Sequence, residues 1–186
     1  ITYIKSKTFS HCENLLEVLG GSNVTQIGNS AFYLTRRLKK LPFLANVTNI
    51  EPAAFADCMY LNQIEVADAN PVYEDRGLNA VLLKGGDSIL VGCNATTIDK
   101  SIKSIGSHAF AGCGLKNFDI PKNVIKIEEY AFANSKSLTY IKISTKIEVI
   151  EAHAFSNCDE LYIAFDYFWS FPGVSHGYKS TFWNGI

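Results

Sequence analysis

Several things are scarce in this chain of 186 residues, and each scarcity closes a class of function. Charge is sparse and balanced: 17 Lys and Arg stand against 18 Asp and Glu, a formal −1. No basic excess exists to attract nucleic acid or an anionic membrane surface. No apolar run approaches the length of a membrane span, so direct membrane insertion is not expected. No charged segment followed by an apolar one opens the chain, so no signal peptide is visible. The one methionine is Met59, so the sequence does not open on a translation start and reads as a processed or excised piece. No Cys-x-x-Cys and no His-Glu-x-x-His is present, which leaves zinc poorly supported. No nucleophile elbow and no phosphate-cradling glycine loop occurs either. Neither an enzyme nor a cofactor is expected.

What is abundant is repetition, the signal to seek before local structure. Phe recurs at 9, 32, 55, 110, 132 and 155, in steps of 23, 23, 55, 22 and 23 residues. An Ile stands five residues before each, from Ile4 and Ile27 to Ile150. Ala precedes five of the six, and Cys12, Thr35, Cys58, Cys113, Ser135 and Cys158 follow three later. A Leu comes next, then apolar pairs at spacing two such as Ile64 and Val66 or Ile141 and Ile143. Period-two alternation predicts a short strand with one buried face. Apolar groups three to five apart around each Phe predict a helical turn or short 3₁₀ segment. One unit cannot bury its own apolar face, whereas stacked units can, each side chain packing on its copy in the next coil.

The copy Ile105-Gly106-Ser107-His108-Ala109-Phe110-Ala111-Gly112-Cys113, followed by Leu115, Phe118, Ile120, Pro121 and Val124, resembles the BspA-like class of leucine-rich repeats. It departs from the family phrase by one deletion between Cys113 and Leu115. The resemblance implies an α/β repeat solenoid, a right-handed stack of leucine-rich coils over about 1–66 and 102–165. It also implies a β-hairpin insertion at 67–101, and a cap is expected at 166–186. Residues 80–83 and 88–91 are the expected hairpin strands, around Gly85-Gly86, which either continue the stack or project as a ligand loop. Nine aromatics fall within 162–186, as a cover for the last coil requires; a sugar platform or a junction is the alternative. Such repeats occur in surface proteins of bacteria and some protists. A binding module that is extracellular or on the cell surface is therefore the expected role, with a structural spacer as the alternative.

Candidate residues follow from the repeat. Outward strand positions form two columns: Leu19, Pro42, Glu65, Asp119 and Lys142, beside Glu17, Lys40, Gln63, Asn117 and Tyr140. Of these, Lys40, Gln63, Glu65, Asn117, Asp119, Tyr140 and Lys142 are the expected ligand contacts on a continuous sheet face. Their mixed charge suits a protein or glycan partner. Four cysteines share one repeat slot and are expected to be buried packing thiols. Cys12 and Cys58 lie two coils apart, as do Cys113 and Cys158, about 10 Å, beyond disulfide reach. His108 and His153 share a slot with Tyr130 between them and are expected as surface residues too far apart for one ion. Glu51, Glu128 and Glu151 occupy a turn slot expected to be solvated. Asn23, Asn46 and Asn94 open sequons, used only in a secreted eukaryotic protein; otherwise Asn23 and Asn46 simply suit a turn.

Overall fold

The computed structural model describes residues 1–41, 44–166 and the backbone strand Gly177–Lys179. Two lines of very short strands run along a β-solenoid of about seven turns. One line passes through the repeat Ile. Tyr3–Ile4, Gln26–Ile27 and Asn49–Ile50 pair in parallel with Ile4, Ile27 and Ile50 in register. Starting within the insertion, Ser88–Ile89, Ser104–Ile105, Lys126–Ile127 and Val149–Ile150 do the same. The second line lies where alternation predicts it. Lys40–Leu41 pairs with Gln63–Ile64, and Asn117–Asp119 with Tyr140–Ser144 and Tyr162–Asp166.

The helical expectation is wrong, and with it the α/β label. Among the described residues the only helix is the 3₁₀ turn Leu44–Asn46, and none is long and apolar enough to cross a membrane. The Ala-Phe phrase forms tandem β-turns instead. In the first coil the N–H groups of Thr8, Ser10 and Cys12 bond three residues back, to Lys5, Lys7 and Phe9. The N–H groups between them, of Lys7, Phe9 and His11, bond sideways to the carbonyls of Asn29, Ala31 and Tyr33 in the next coil. Alternate donors thus serve the turn and the stack, and the backbone is satisfied without a helix. This path requires two left-handed residues per coil, two before and two after the Phe. They include Ala53 and Asp57 (φ 55° and 60°), Tyr130 and Asn134 (57° and 59°), and His153 and Asn157 (58° and 57°). A helix admits neither.

Packing follows the repeat. Phe9, Phe32 and Phe55 stack at 5.1 and 5.3 Å between ring centroids, and Phe110, Phe132 and Phe155 at 5.2 and 5.4 Å. The small slot after the Phe carries a donor to the carbonyl of the Phe one coil back. Thr35 Oγ1 reaches Phe9 O at 3.1 Å, Ser135 Oγ reaches Phe110 O at 2.9 Å, and Cys158 Sγ reaches Phe132 O at 3.1 Å. This explains why Cys, Thr and Ser interchange there. All five thiols are free, and four are buried. Cys12, on the first coil, is exposed, which corrects the buried reading at that position.

The insertion is a wall between two cores. Val81, Val91, Tyr73 and Cys93 face the core of the first three coils, while Leu78, Ala80, Leu82 and Ile89 face the core of the last three. Strand alternation produces this division, since Val81 points opposite to its neighbours Ala80 and Leu82. Ile89 takes the repeat-Ile position beside Ile105. Gly92 sits against Phe110, where a Cβ would lie 2.2 Å from Cε1. Gly92 N–H also bonds Ala109 O, an acceptor whose counterparts in other coils receive a Phe N–H. The stack closes again one rung later, where Asp57 N–H bonds Ala111 O at 2.8 Å. Beyond Asp166 the expected cap lies outside the described residues, apart from Gly177–Lys179, which pairs antiparallel with Tyr162–Asp166.

Candidate binding surfaces on the two sides of the coil

The strand side carries the outward columns. Register places Lys40 beside Gln63, Tyr140 between Asn117 and Tyr162, and Asp119 beside Lys142. Tyr140 and Tyr162 stack at 6.1 Å, both half-exposed. Lys142 pairs with Asp166 at 3.3 Å, Lys40 with Glu17 at 2.6 Å, and Gln63 bonds Glu65 at 2.6 Å. The columns do not tile one continuous sheet, however. They belong to two sheets, because the insertion occupies the free edge of Gln63–Ile64. Asn79 Oδ1 accepts the Ile64 N–H at 2.6 Å, its Nδ2 bonds Asn62 O, and Asp75 accepts the Val66 N–H. A side-chain amide there stands in for a strand. Pro42 lies outside the described residues. Tyr162, counted above only as part of the aromatic C-terminus, joins the Tyr140 column; a step of 22 residues from Tyr140 was the signal.

The turn side is built from the residues around each Phe. Two positions before it, the side chains are small on the second and third coils, Ser30 and Ala53. They are rings on the last three: His108, Tyr130 and His153. These rings form a ladder with 5.0 Å at both steps. The two imidazoles therefore sandwich a phenol, and among the described residues no His, Cys, Asp and Glu group is arranged to hold a metal. One position after the Phe, Ala56, Ala111 and Ala133 lie on three successive Phe coils, with Tyr33 beyond them. Two positions after it stand Asp57, Gly112 and Asn134, the left-handed slot that favours Asn, Asp and Gly.

Together these make a trough of about 650 Å³, with alanines as its floor, the His108–Tyr130 ladder on one flank and Asp57 and Asn134 on the other. Asn134 Nδ2 donates to Asp57 Oδ2 at 3.2 Å, spanning the intervening coil. Gly112 allows that span, since a Cβ there would lie 2.4 Å from Asp57 Oδ1. Burial pushes the Asp57 carboxyl above its ordinary value; the Asn134 bond and the charges of Arg36, Lys136 and His108 oppose the shift. Burial also holds the His108 imidazole below its ordinary value, against Glu129 and Asp57. Sequence reasoning missed this trough. The available signals were Ala after Phe in three consecutive copies, and Asp, Gly or Asn two after it in four of six.

The remaining candidates resolve as structural parts. Glu51, Glu128 and Glu151 are half-buried clamps rather than solvated turn residues. Each carboxylate accepts a backbone N–H from the preceding coil: Asn29 at 2.7 Å, Ser107 at 3.1 Å and Glu129 at 3.0 Å. Lys126, paired with Glu151 at 2.8 Å, holds that carboxyl below its ordinary value. Asn46 Nδ2 bonds Ser22 O across coils, as Asn70 bonds Leu44 O and Asn123 bonds Asp99 O. An asparagine ladder thus occupies that turn. Asn23 is exposed, whereas Asn94 Nδ2 is turned inward onto Met59 O at 2.8 Å and Thr96 of its sequon is buried.

Comparison with known proteins places this architecture. The model of the BspA type leucine rich repeat region matches residues 1–75 and 88–165 in six copies. No curated protein matches. Among solved structures, a leucine rich cell surface protein from Faecalibacterium prausnitzii is 24% identical, with 91% of this chain and 58% of that one covered, at a TM-score of 0.45. A leucine-rich repeat protein from Eubacterium ventriosum is 21% identical, with 90% and 64% covered, at 0.47. A leucine rich repeat protein of T. pallidum is 19% identical, with 88% and 62% covered, at 0.34. The chain spans about three fifths of the length of each of these structures. With the family phrase matched on both sides of the insertion, the chain belongs to the BspA-type leucine-rich-repeat family.

Proposed function

We propose that this chain is a ligand-binding module of a surface protein, engaging a protein partner through the strand side of its last three coils. The observation that carries the reading is the register that sets Tyr140 against Tyr162 and Lys142 against Asp119 on neighbouring strands. Half-exposed tyrosines beside charged groups are the composition of a contact centre with a polar rim. The family supports a surface location, because its repeats occur in surface proteins. The alternative, a spacer that holds another domain away from a surface, draws support from the walled, doubly cored stack.

A solid-phase assay on purified extracellular-matrix proteins and mucins tests the proposal. Wild-type protein is expected to retain at least one of them. The double variant Tyr140→Ala/Tyr162→Ala is expected to weaken that binding by roughly tenfold, the loss typical of an aromatic contact centre. Equal binding by the two proteins would remove the strand side from the site. Binding of nothing in the panel would favour the spacer.

A further inference from the structure

We propose that the turn-side trough is a second binding site, for a neutral saccharide, and that it is independent of the strand side. Its lining holds one carboxylate, Asp57, and one ammonium, Lys7, so the trough selects for neither an anion nor a cation. Peptide main chain has nothing to pair with on the floor. The N–H groups of Ala56, Ala111 and Ala133 are spent within their turns, on Ala53, His108 and Tyr130. Their carbonyls are spent sideways, on Leu34, Asp57 and Gly112. Strand addition, which relies on open backbone groups, is therefore closed.

The groups that remain for recognition are side chains. The phenols of Tyr33 and Tyr130 both donate and accept, the Ser30 hydroxyl, whose proton goes to Asn29 Oδ1 at 2.9 Å, still accepts, and so does the Asp57 carboxylate. A polyhydroxylated ring offers the matching set of alternating donors and acceptors, together with C–H faces that lie well on an alanine floor. The lining runs over five Phe coils, from Lys7 to Tyr130, and its alanine floor over three of them, about 10 Å between the outer two, which suits one or two sugar rings lying along the stack. Tandem turns and inter-coil rungs fix the lining residues in place, so the site is preorganised.

The test uses the whole chain and four probes: the methyl pyranosides of mannose, glucose and galactose, and N-acetylglucosamine. Saturation-transfer NMR reads binding. At least one sugar is expected to bind with a Kd on the order of millimolar. Asp57→Asn and Tyr33→Ala are each expected to weaken it roughly tenfold, as loss of a charged or phenolic hydrogen bond does. Tyr140→Ala, on the strand side, should leave it unchanged, and thermal unfolding shows that each variant is folded. Three results would overturn the site: silence from all four sugars, loss in Tyr140→Ala equal to that in the trough variants, or equal competition by N-acetylated amino-acid amides. If Asp57→Asn does not fold, Tyr33→Ala alone decides, because Tyr33 lies one coil away from the joint at which Asp57 N–H bonds Ala111 O across the insertion.

Discussion

The two sides of each coil are built on opposite principles. The turn side has little sheet but constrained geometry: two left-handed residues, three turns and lateral rungs fix the path of the backbone. The strand side has the more familiar pairing but only two residues per strand in the first half, and it is broken where Asn79 caps the sheet edge. Rigidity therefore resides where the chain has the fewest regular elements. Inter-coil contacts, rather than local propensity, set the conformation, as expected of a stack whose units cannot stand alone.

Replacing the central ring of the second Phe stack should break this comparison most visibly. Phe132 is fully buried between Phe110 and Phe155. Phe132→Ala should cost about 3–5 kcal/mol by lost burial and the cavity left behind. Phe118, half-buried on the strand side against the same rings, should cost about 1–2 kcal/mol as alanine. Urea unfolding of both variants measures the gap. Equal costs would show that the turn-side stack holds no special share of the stability.

Asparagine supplies the next contrast. Asn70 is buried and makes four bonds, its amide donating to Leu44 O and Val47 O while its oxygen accepts from Val72 and Tyr73 N–H. Asn46 holds the same inter-coil bond from an exposed position. Asn70→Ala should cost about 2–4 kcal/mol, because two carbonyls and two N–H groups, all buried except the partly buried Val72 N–H, lose their partner. Asn46→Ala should cost about 0.5–1 kcal/mol, since water replaces the amide there. Hydrogen exchange should then show the Val72 and Tyr73 amides newly opened in Asn70→Ala; their continued protection would refute this account.

How much was legible in advance follows the same division. The Phe, Ile and Leu columns were readable because apolar side chains recur at fixed spacing, and a stack demands that they coincide. The turn conformation was not, because spacing of three to five fits a helix and a run of tandem turns equally well. Only the Asp57, Gly112, Asn134 and Asn157 slot, with its taste for residues that accept positive φ, separated the two. The neighbours Lys40 and Gln63, Asn117 and Tyr140, and Asp119 and Lys142 were read correctly, yet not the break between the two sheets. That break depends on the Asn79 amide reaching Ile64 from 15 residues away, which no periodicity reports. The trough stayed hidden for a similar reason: alanine is read as core, and its meaning as a floor emerges only when flanking rings are placed.

A smaller test concerns the slot after the Phe. If Cys, Thr and Ser serve one bond to the preceding coil, then Ser135→Cys should be nearly neutral. Ser135→Ala should cost about 1 kcal/mol, the usual net worth of such a bond. Chemical denaturation resolves that difference. An alanine variant as stable as wild type would mean that size alone governs the slot.

The smallest effect has a sign that identifies its cause. Asp57 sits on the turn side at the joint, and burial raises its carboxyl above the ordinary value of 3.8. A folded-state value above the unfolded one means that the fold prefers the proton. The stability held by the protonated acid is complete below about pH 3.8 and is lost as pH rises through the folded value. Asparagine does not titrate, and its own oxygen can still accept the Asn134 amide. The unfolding midpoint of Asp57→Asn relative to wild type should therefore rise with pH and then level off, the variant being the more stable at neutral pH. The opposite slope, with wild type gaining as pH rises, would mean that the Asn134 bond and the nearby Arg36 and Lys136 outweigh burial. Asp57 would then be an ion-paired brace of the joint rather than a carboxylate carried at a cost on the floor-side wall of the trough.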